Sequence, residues 1–153
     1  EQSIHLARTI LDSNAIKLTR HCDRAIRVFA DGTRLTQILV NLISNAAKYN
    51  RRGGEIAIDC RIIEAGKARL CVTDTGRGIS PQNLERLFRP FERLGAEYTD
   101  IEGAGIGLLL SKQLAERMGG KLGVTSIVDQ GSTFWIDLPL AQQATPPGGR
   151  KAS

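Results

Sequence analysis

The stretch that decides the fold is DGTRLTQILVNLISNAAKY, residues 31–49. Asp31 and Gly32 supply a turn and a helix cap at its start. The apolar residues that follow recur at helical spacing, at Leu35, Ile38, Leu39, Leu42, Ile43 and Ala46. This pattern predicts an amphipathic helix that runs to about Tyr49 and lays its apolar face on a core.

The same helix carries three polar residues on one side. Asn41, Asn45 and Lys48 are spaced i, i+4 and i+7, so they fall within a stripe of roughly 60° that borders the apolar face. Amide oxygens suit a hard cation such as Mg²⁺, and an ammonium group suits a phosphate. The three residues therefore fit a cleft between helix and sheet. The alternative is an ordinary solvated helix face.

Strands and shorter helices are predicted around this helix. The alternation of apolar and polar residues over 55–63 and 68–73 predicts a hairpin, and the apolar runs at 15–18 and 26–29 are predicted to pair with each other as strands. The other predicted elements are helices at 80–87 and 106–118 and strands at 121–127 and 132–138. This order predicts an α+β fold, a two-layer sandwich in which about three helices cover one face of a mixed, mostly antiparallel sheet.

A second motif, Asp74-Thr75-Gly76-Arg77-Gly78-Ile79, directly follows a predicted strand. A carboxylate beside two glycines suits a pocket in which a flat ring lies on bare backbone and donates an amino proton to the acid. Asp-Thr-Gly is also the signature of aspartic proteases. Those enzymes need apolar residues after the motif and a second catalytic aspartate, whereas Arg77 and Gly78 follow here.

A third motif, Gly103-Ala104-Gly105-Ile106-Gly107-Leu108, has glycine at every second position and opens a predicted helix. Backbone N–H groups at a helix N-terminus form a ready anion site, so this loop can hold phosphates. The alternative is a flexible hinge. The pattern is neither the GxGxxG dinucleotide fingerprint nor a GxxxxGK[ST] loop.

The overall composition of the chain favours one soluble globular domain. It has 153 residues, 41% of them hydrophobic, and a formal charge of +5. The basic residues are dispersed and only 5% of residues are aromatic, which disfavours nucleic acid as a partner. The chain has no membrane-spanning stretch and no secretory signal, which predicts a cytoplasmic domain, with membrane attachment only through other parts of a longer protein. The three cysteines, Cys22, Cys60 and Cys71, lack paired spacing and are predicted to be free thiols.

Taken together, the motifs resemble the GHKL ATPases of the Bergerat fold, and within them the catalytic domains of bacterial sensor histidine kinases. Residues 31–49 resemble the N box of that family, and 74–79 its first glycine box. The other matching motifs are the F box at 87–91, the second glycine box at 103–108 and the closing motif at 131–134. The resemblance covers about residues 15–140 and implies ATP and Mg²⁺ as ligands.

The resemblance also implies roles for individual residues. Asn45 is expected to bind Mg²⁺, Lys48 to contact phosphate and Tyr49 to border the nucleotide. Asp74 is expected to accept a hydrogen bond from the adenine amino group. Other residues expected to line the nucleotide site are Gly76, Gly78, Ile79, Gly103, Gly105, Ile106, Gly107, Leu108 and Thr133.

The resemblance assigns catalysis to Asn41, Lys48 and Arg93, with Arg93 reaching the γ-phosphate from a lid between residues 89 and 104. In the ATP-hydrolysing relatives a glutamate that activates water stands at the position of Asn41. An amide has no comparable basicity, so Asn41 favours transfer of the phosphoryl group over hydrolysis. The chain departs from the family pattern at Glu102 and Ala104, which removes side-chain contacts there but not the backbone cradle.

An acceptor histidine is not apparent in the chain. His5 is followed by Leu6 where the family's acceptor histidine is followed by an acid, and Ile10 stands where proline is expected. His21 falls in a predicted strand turn. The predicted organisation is therefore the end of an upstream linker helix at 1–11, an ATP-binding catalytic domain at 12–141 and a disordered tail at 142–153.

The resemblance implies two partners. One is an upstream dimerisation and histidine phosphotransfer domain of the same protein, which forms a homodimer and carries the acceptor. The other is the receiver domain of a response regulator. The alternative function is a regulatory nucleotide-binding module, or a GHKL-type ATPase without kinase activity.

Overall fold

The computed structural model describes residues 1–64, 66–89 and 104–141. In the last of these ranges, side chains are described from residue 107 onward. The described residues form nine helices and strands. In chain order they are α1 (Gln2–Ser13), β1 (Lys17–Cys22), α2 (Gly32–Lys48), β2 (Glu55–Glu64), β3 (Lys67–Asp74), α3 (Pro81–Arg86), α4 (Ala104–Arg117), β4 (Lys121–Ile127) and β5 (Gly131–Pro139). Much of the predicted lid and the predicted tail lie outside the described residues.

The five strands form one sheet in the order β1-β2-β3-β5-β4. The β1–β2 pair is parallel, and the other three pairs are antiparallel. Helices α1, α2 and α4 share a core with the sheet. The predicted α+β two-layer sandwich with a mixed, mostly antiparallel sheet is therefore confirmed.

Helix α2 occupies the centre of this core. The Asp31 side chain accepts a hydrogen bond from the Arg34 N–H at 3.0 Å, so the predicted cap is formed. Ile38, Leu42 and Ile43 are completely buried, because the apolar face of α2 is pressed between the sheet and the two neighbouring helices. The largest buried side chains that the sheet contributes are Ile56, Val72 and Ile136.

Helix α1 packs against α2. Ala7 and Leu11 are 2% and 3% exposed and belong to the common core, whereas Leu6 on another side of α1 is 59% exposed. The helix extends through Ser13, two residues past the predicted boundary at residue 11. The buried side of α1, which extends from Ser3 to Leu11, is therefore part of the domain's packing, and the division into linker and domain stays a prediction.

The predicted strand pair at 15–18 and 26–29 is wrong. Strand β1 begins at Lys17 and pairs in parallel with β2, and residues 26–29 form no strand, Val28 making only a single bridge to Leu140. Residues 26–29 instead hydrogen-bond to the chain at the end of β5. The Phe29 N–H donates to the Pro139 carbonyl, and the Ala141 N–H donates to the Arg27 carbonyl. Because β3 already occupies one edge of β2, β1 takes the other edge, and the chain then crosses to β5.

The prediction of three free thiols is also wrong for two of them. Cys22 and Cys60 form a disulfide between β1 and β2, with their Cα atoms 4.7 Å apart. The parallel register places these two residues directly opposite each other, which their 38-residue separation does not reveal. Cys71 is free and buried, and burial raises the pKa of its thiol. None of the described helices is long and apolar enough to span a bilayer.

Candidate functional site

The candidate site lies where the end of β3, the C-terminal half of α2 and the first turns of α4 meet. The glycines mark how closely these parts approach. A Cβ on Gly76 would overlap the Tyr49 carbonyl oxygen at the end of α2, and a Cβ on Gly107 would lie 2.6 Å from Asn41 Oδ1. Bare backbone is therefore required at Gly76, which lies against a backbone carbonyl, whereas Gly107 lies close to the side chain of Asn41.

Asp74 is the buried carboxylate of this site. It ends β3, is 6% exposed, and its Oδ1 accepts hydrogen bonds from Gly76 N–H at 2.8 Å and Ser132 N–H at 3.3 Å. Burial raises the pKa of Asp74 above its ordinary value, and the two backbone hydrogen bonds act in the opposite direction. Both bonds end on the same oxygen, so Oδ2 is the atom suited to a ligand.

The loop after β3 is held against the turn between β4 and β5. Gly78 has φ +69°, and a Cβ there would overlap the Ile127 carbonyl oxygen. Gly131 has φ +128°, and a Cβ there would likewise overlap the Asp74 carbonyl oxygen. The Asp129 N–H donates to the Arg77 carbonyl at 2.8 Å. The first glycine motif therefore lies in a fixed conformation beside Asp74.

The polar residues of α2 differ in their surroundings. Asn41 is half-buried, and its Nδ2 donates to Ser111 Oγ on α4 at 3.0 Å. Asn45 is 5% exposed, and its Nδ2 has no hydrogen-bond partner among the residues described. Lys48 is exposed and Tyr49 half-buried. Asn45 is therefore a buried amide with one end available, which is unusual without a ligand.

The second glycine motif begins α4. The helix was predicted from about Ile106 but starts at Ala104, which places Gly105, Ile106 and Gly107 in its first turn. The backbone N–H groups of a first turn have no partner within the helix and can bind an anion. Leu108 is buried in the core and anchors this turn. Arg93 and Gly103 lie outside the described residues.

Thr133 is placed differently from the other predicted site residues. It lines a shallow cavity of about 270 Å³ with Asp74, but its hydroxyl pairs with Thr73 at 3.0 Å. Residue Asp74 faces Ser132 across the β3–β5 pair, so Thr133 and Asp74 point to opposite sides of the sheet. Sequence reasoning missed Ser132 and Ser111. The closing motif that contains Ser132 was recognised, but only strand register tells which of its residues meets Asp74.

Known proteins are similar in sequence to most of this chain. A sequence model of the family described as histidine kinase-, DNA gyrase B-, and HSP90-like ATPase matches residues 30–142. The sensor protein GacS of Pseudomonas syringae pv. syringae is 40% identical over 122 residues, which are 77% of this chain and 14% of GacS. The histidine protein kinase DivJ of Caulobacter vibrioides is 38% identical over 128 residues, 80% of this chain and 21% of DivJ. The chain thus spans about a fifth or less of these curated relatives.

A solved structure is similar over nearly the whole chain. It is full-length ShkA in complex with AMPPNP, with a TM-score of 0.79 and 32% sequence identity. The match covers 95% of this chain and 30% of ShkA.

Proposed function

Because this chain belongs to the family of histidine kinase-, DNA gyrase B-, and HSP90-like ATPases, we propose that it is the ATP-binding catalytic domain of a two-component sensor histidine kinase. It holds Mg-ATP in the cytoplasm and positions the γ-phosphoryl group for transfer to a histidine on a separate dimerisation domain. The curated relatives named above support this function, because one is named a sensor protein and the other a histidine protein kinase. They do not favour the alternative of a regulatory module without kinase activity.

The observation that carries the proposal is the buried carboxylate of Asp74. Its Oδ1 is held by two backbone N–H groups, and glycine backbone lies beside it. An adenine ring on this backbone would donate its amino proton to Asp74 Oδ2, forming a charge-assisted hydrogen bond away from water. Gly76, Gly78 and Ile79 line the ring. The similar structure of ShkA is a complex with AMPPNP, which supports a nucleotide as the ligand.

The residues of α2 fit the metal and phosphate side of the same ligand. The Asn45 amide is suited to Mg²⁺, because its Nδ2 has no hydrogen-bond partner in the described residues and rotation of the amide would bring its oxygen to that position. Magnesium would neutralise charge on the phosphates during transfer. Lys48 is exposed at the edge of the site and would contact phosphate, and Tyr49 would border the nucleotide.

Asn41 separates phosphoryl transfer from hydrolysis in this proposal. Its amide cannot take a proton from water, and its Nδ2 is already engaged with Ser111. Water therefore finds no general base at this position, and the incoming histidine is the nucleophile. Arg93 would contribute positive charge at the γ-phosphate. The two proposed partners are the upstream dimerisation and phosphotransfer domain and a response regulator receiver domain, since the relatives extend well beyond the matched region.

The test is the effect of Asp74→Asn on ATP affinity, measured by calorimetry. Loss of a buried charge-assisted hydrogen bond costs about 1.5–3 kcal/mol, which is roughly a tenfold to more than a hundredfold loss of affinity. Asp12→Asn, on the exposed side of α1, is the matched control and should bind ATP like the wild type. Wild-type affinity in a folded Asp74→Asn variant would refute the adenine site.

A further inference from the structure

Ser126 on β4 connects the loop after β3 to the turn before β5. Its Oγ lies 2.7 Å from the Ile79 nitrogen, 3.0 Å from the Gly131 carbonyl oxygen and 2.8 Å from Ser132 Oγ. These three groups belong to the two segments that flank Asp74. Neither the sequence motifs nor the proposed function assigns a role to Ser126.

The chemistry of a hydroxyl group determines the direction of each of these bonds. A serine hydroxyl has one proton to donate and two lone pairs to accept with. The Ile79 N–H can only donate and the Gly131 carbonyl can only accept, so Ser126 accepts from Ile79 and donates to Gly131. The Ser132 hydroxyl must then donate to Ser126. All three bonding positions of Ser126 are therefore used.

This arrangement reaches Asp74 through one further bond. The backbone N–H of Ser132, the neighbour of Gly131, donates to Asp74 Oδ1. Ser126 thus fixes Ile79 on one side of the carboxylate and the Gly131–Ser132 backbone on the other, without a hydrogen bond of its own to Asp74. Gly78, next to Ile79, lies against Ile127 of the same strand as Ser126, so the loop cannot shift without breaking these contacts.

We propose that Ser126 is a positioning residue that gives this site its preference for adenine. The inference rests on the proposed function, because it assumes that Asp74 accepts the adenine amino proton. Hydrogen-bond strength falls steeply when donor and acceptor are misaligned. A ring with an amino group is therefore favoured only while the loop and Asp74 keep their relative positions. Phosphate contacts, which come from α2 and α4, do not depend on Ser126.

The probe is a pair of nucleotides, ATP and inosine triphosphate. In inosine triphosphate a carbonyl oxygen replaces the amino group of adenine, and the adjacent ring nitrogen N1 carries a proton. In the 153-residue chain, Ser126→Ala should weaken ATP binding about tenfold, since the Ile79 N–H loses its partner and the loop relaxes. Inosine triphosphate binding should change much less, because the carbonyl oxygen that replaces the amino group cannot donate to Asp74 and gains nothing from its alignment. Calorimetric titration of both nucleotides measures the change in preference.

Two further variants separate positioning from general damage. Ser132→Ala removes one donor to Ser126 but leaves its bonds to Ile79 and Gly131, so most of the ATP preference should remain. Ser126→Thr keeps the hydroxyl on a β-branched residue suited to a strand and should restore the preference. Thermal unfolding of each variant verifies that the fold is intact.

Each outcome bears on a different claim. Unchanged ATP affinity in Ser126→Ala, or equal losses for ATP and inosine triphosphate, would overturn the positioning role while leaving the proposed function untouched. If Ser126→Ala or Ser126→Thr does not fold, the comparison uses Ser132→Ala and Asp74→Asn instead. The quantity compared is the preference of each variant for ATP over inosine triphosphate. A Ser132→Ala variant with as little preference as Asp74→Asn would refute the assignment of Ser126. A wild-type chain that binds neither nucleotide would refute the proposed function and the inference together.

Discussion

At the scale of single residues, the requirements of binding and of stability oppose each other at Asp74. Its carboxylate is removed from water, which raises its pKa and makes the ionised form costly in the absence of a ligand. Only two backbone N–H groups compensate for this in the described residues. A group of this kind is typical of binding sites, where a ligand supplies the remaining hydrogen bonds.

This opposition predicts that Asp74→Asn stabilises the ligand-free chain at neutral pH. A carboxyl group whose folded-state pKa is raised contributes stability below its unfolded pKa and loses that contribution as pH rises through the folded pKa. Wild type should therefore lose stability relative to Asp74→Asn as pH rises through the acidic range. Denaturant unfolding of both proteins at pH 4, 5 and 7 measures the difference. A difference that shrinks with rising pH would contradict the burial argument.

Arg69 and Asp137 form a buried ion pair on the sheet. Two hydrogen bonds of 2.7 and 2.9 Å join the side chains, Asp137 is 7% exposed, and the guanidinium stacks 3.9 Å from the Trp135 ring centroid. Arg69→Met leaves the aspartate buried without its partner, so the free energy of unfolding should fall by about 3 kcal/mol.

The matched control for that ion pair is an exposed pair on the same sheet. Arg61 and Asp59 approach to 3.8 Å with the arginine side chain 60% exposed. Arg61→Met should change the free energy of unfolding by less than about 1 kcal/mol, because water already solvates both charges. Equal effects of the two substitutions in urea unfolding would show that the buried pair contributes no more than a surface pair.

At the scale of elements, a polar contact joins α2 to α4 beside the apolar core that they share. Asn41 Nδ2 donates to Ser111 Oγ, and Ser111 is 3% exposed. On the other side of the amide, Asn41 Oδ1 lies against the bare Cα of Gly107. The side chain of Asn41 therefore sets the distance between α2 and the first turns of α4.

This contact predicts coupling between Asn41 and Ser111. Each alanine substitution alone should cost about 1–2 kcal/mol, since it leaves the polar side chain of the other residue without its partner. The double variant should cost clearly less than the sum, with a coupling energy of about 0.5–1.5 kcal/mol. A double-mutant cycle in urea measures it. Additive effects would mean that the two residues do not interact in solution.

Gly107→Ala tests the same contact sterically. The added methyl would lie 2.6 Å from Asn41 Oδ1, so α4 must move away or Asn41 must change its rotamer. The substitution should destabilise the chain by about 1–3 kcal/mol, as overpacking does elsewhere. The loss should be smaller in an Asn41→Ala background, because the opposing oxygen is then absent. Thermal or urea unfolding of the single and double variants gives the comparison.

At the scale of the whole molecule, we expect a chain that binds Mg-ATP but does not phosphorylate itself. Phosphoryl transfer relies mainly on positioning of donor, metal and nucleophile, and little rate remains when the nucleophile is absent. The chain should therefore turn ATP over slowly and carry no acid-labile, base-stable phosphate on His5 or His21. Incubation with γ-labelled ATP tests this directly.

In a second experiment, the upstream helical domain of the parent protein is added to the incubation with γ-labelled ATP. A histidine on that domain should then become labelled, because the bound ATP meets its acceptor. Strong labelling of His5 in the isolated chain would contradict the proposed domain boundary. Failure to label even the added domain, in a chain that does bind ATP, would favour the regulatory module over the kinase.

The sequence by itself determined the parts of this protein that depend on local patterns. Helix α2, its cap at Asp31 and the β2–β3 hairpin follow from periodicity and turn chemistry within short stretches, and the structure contains all three. The buried carboxylate at the end of β3 was predicted in the same way, because a strand followed by glycines fixes where Asp74 lies. Local signals suffice where the partners of a residue are close in sequence.

The tertiary structure alone decided which distant residues meet. Strand β1 pairs with the edge of β2 that β3 leaves open, and the parallel register of this pair places Cys22 opposite Cys60, where the disulfide forms. Ser132 rather than Thr133 contacts Asp74 because the β3–β5 register sets which face each residue takes, and a shift of one residue would exchange them. Strand register and edge occupancy are settled by packing between segments tens of residues apart, so no short stretch of the chain encodes them.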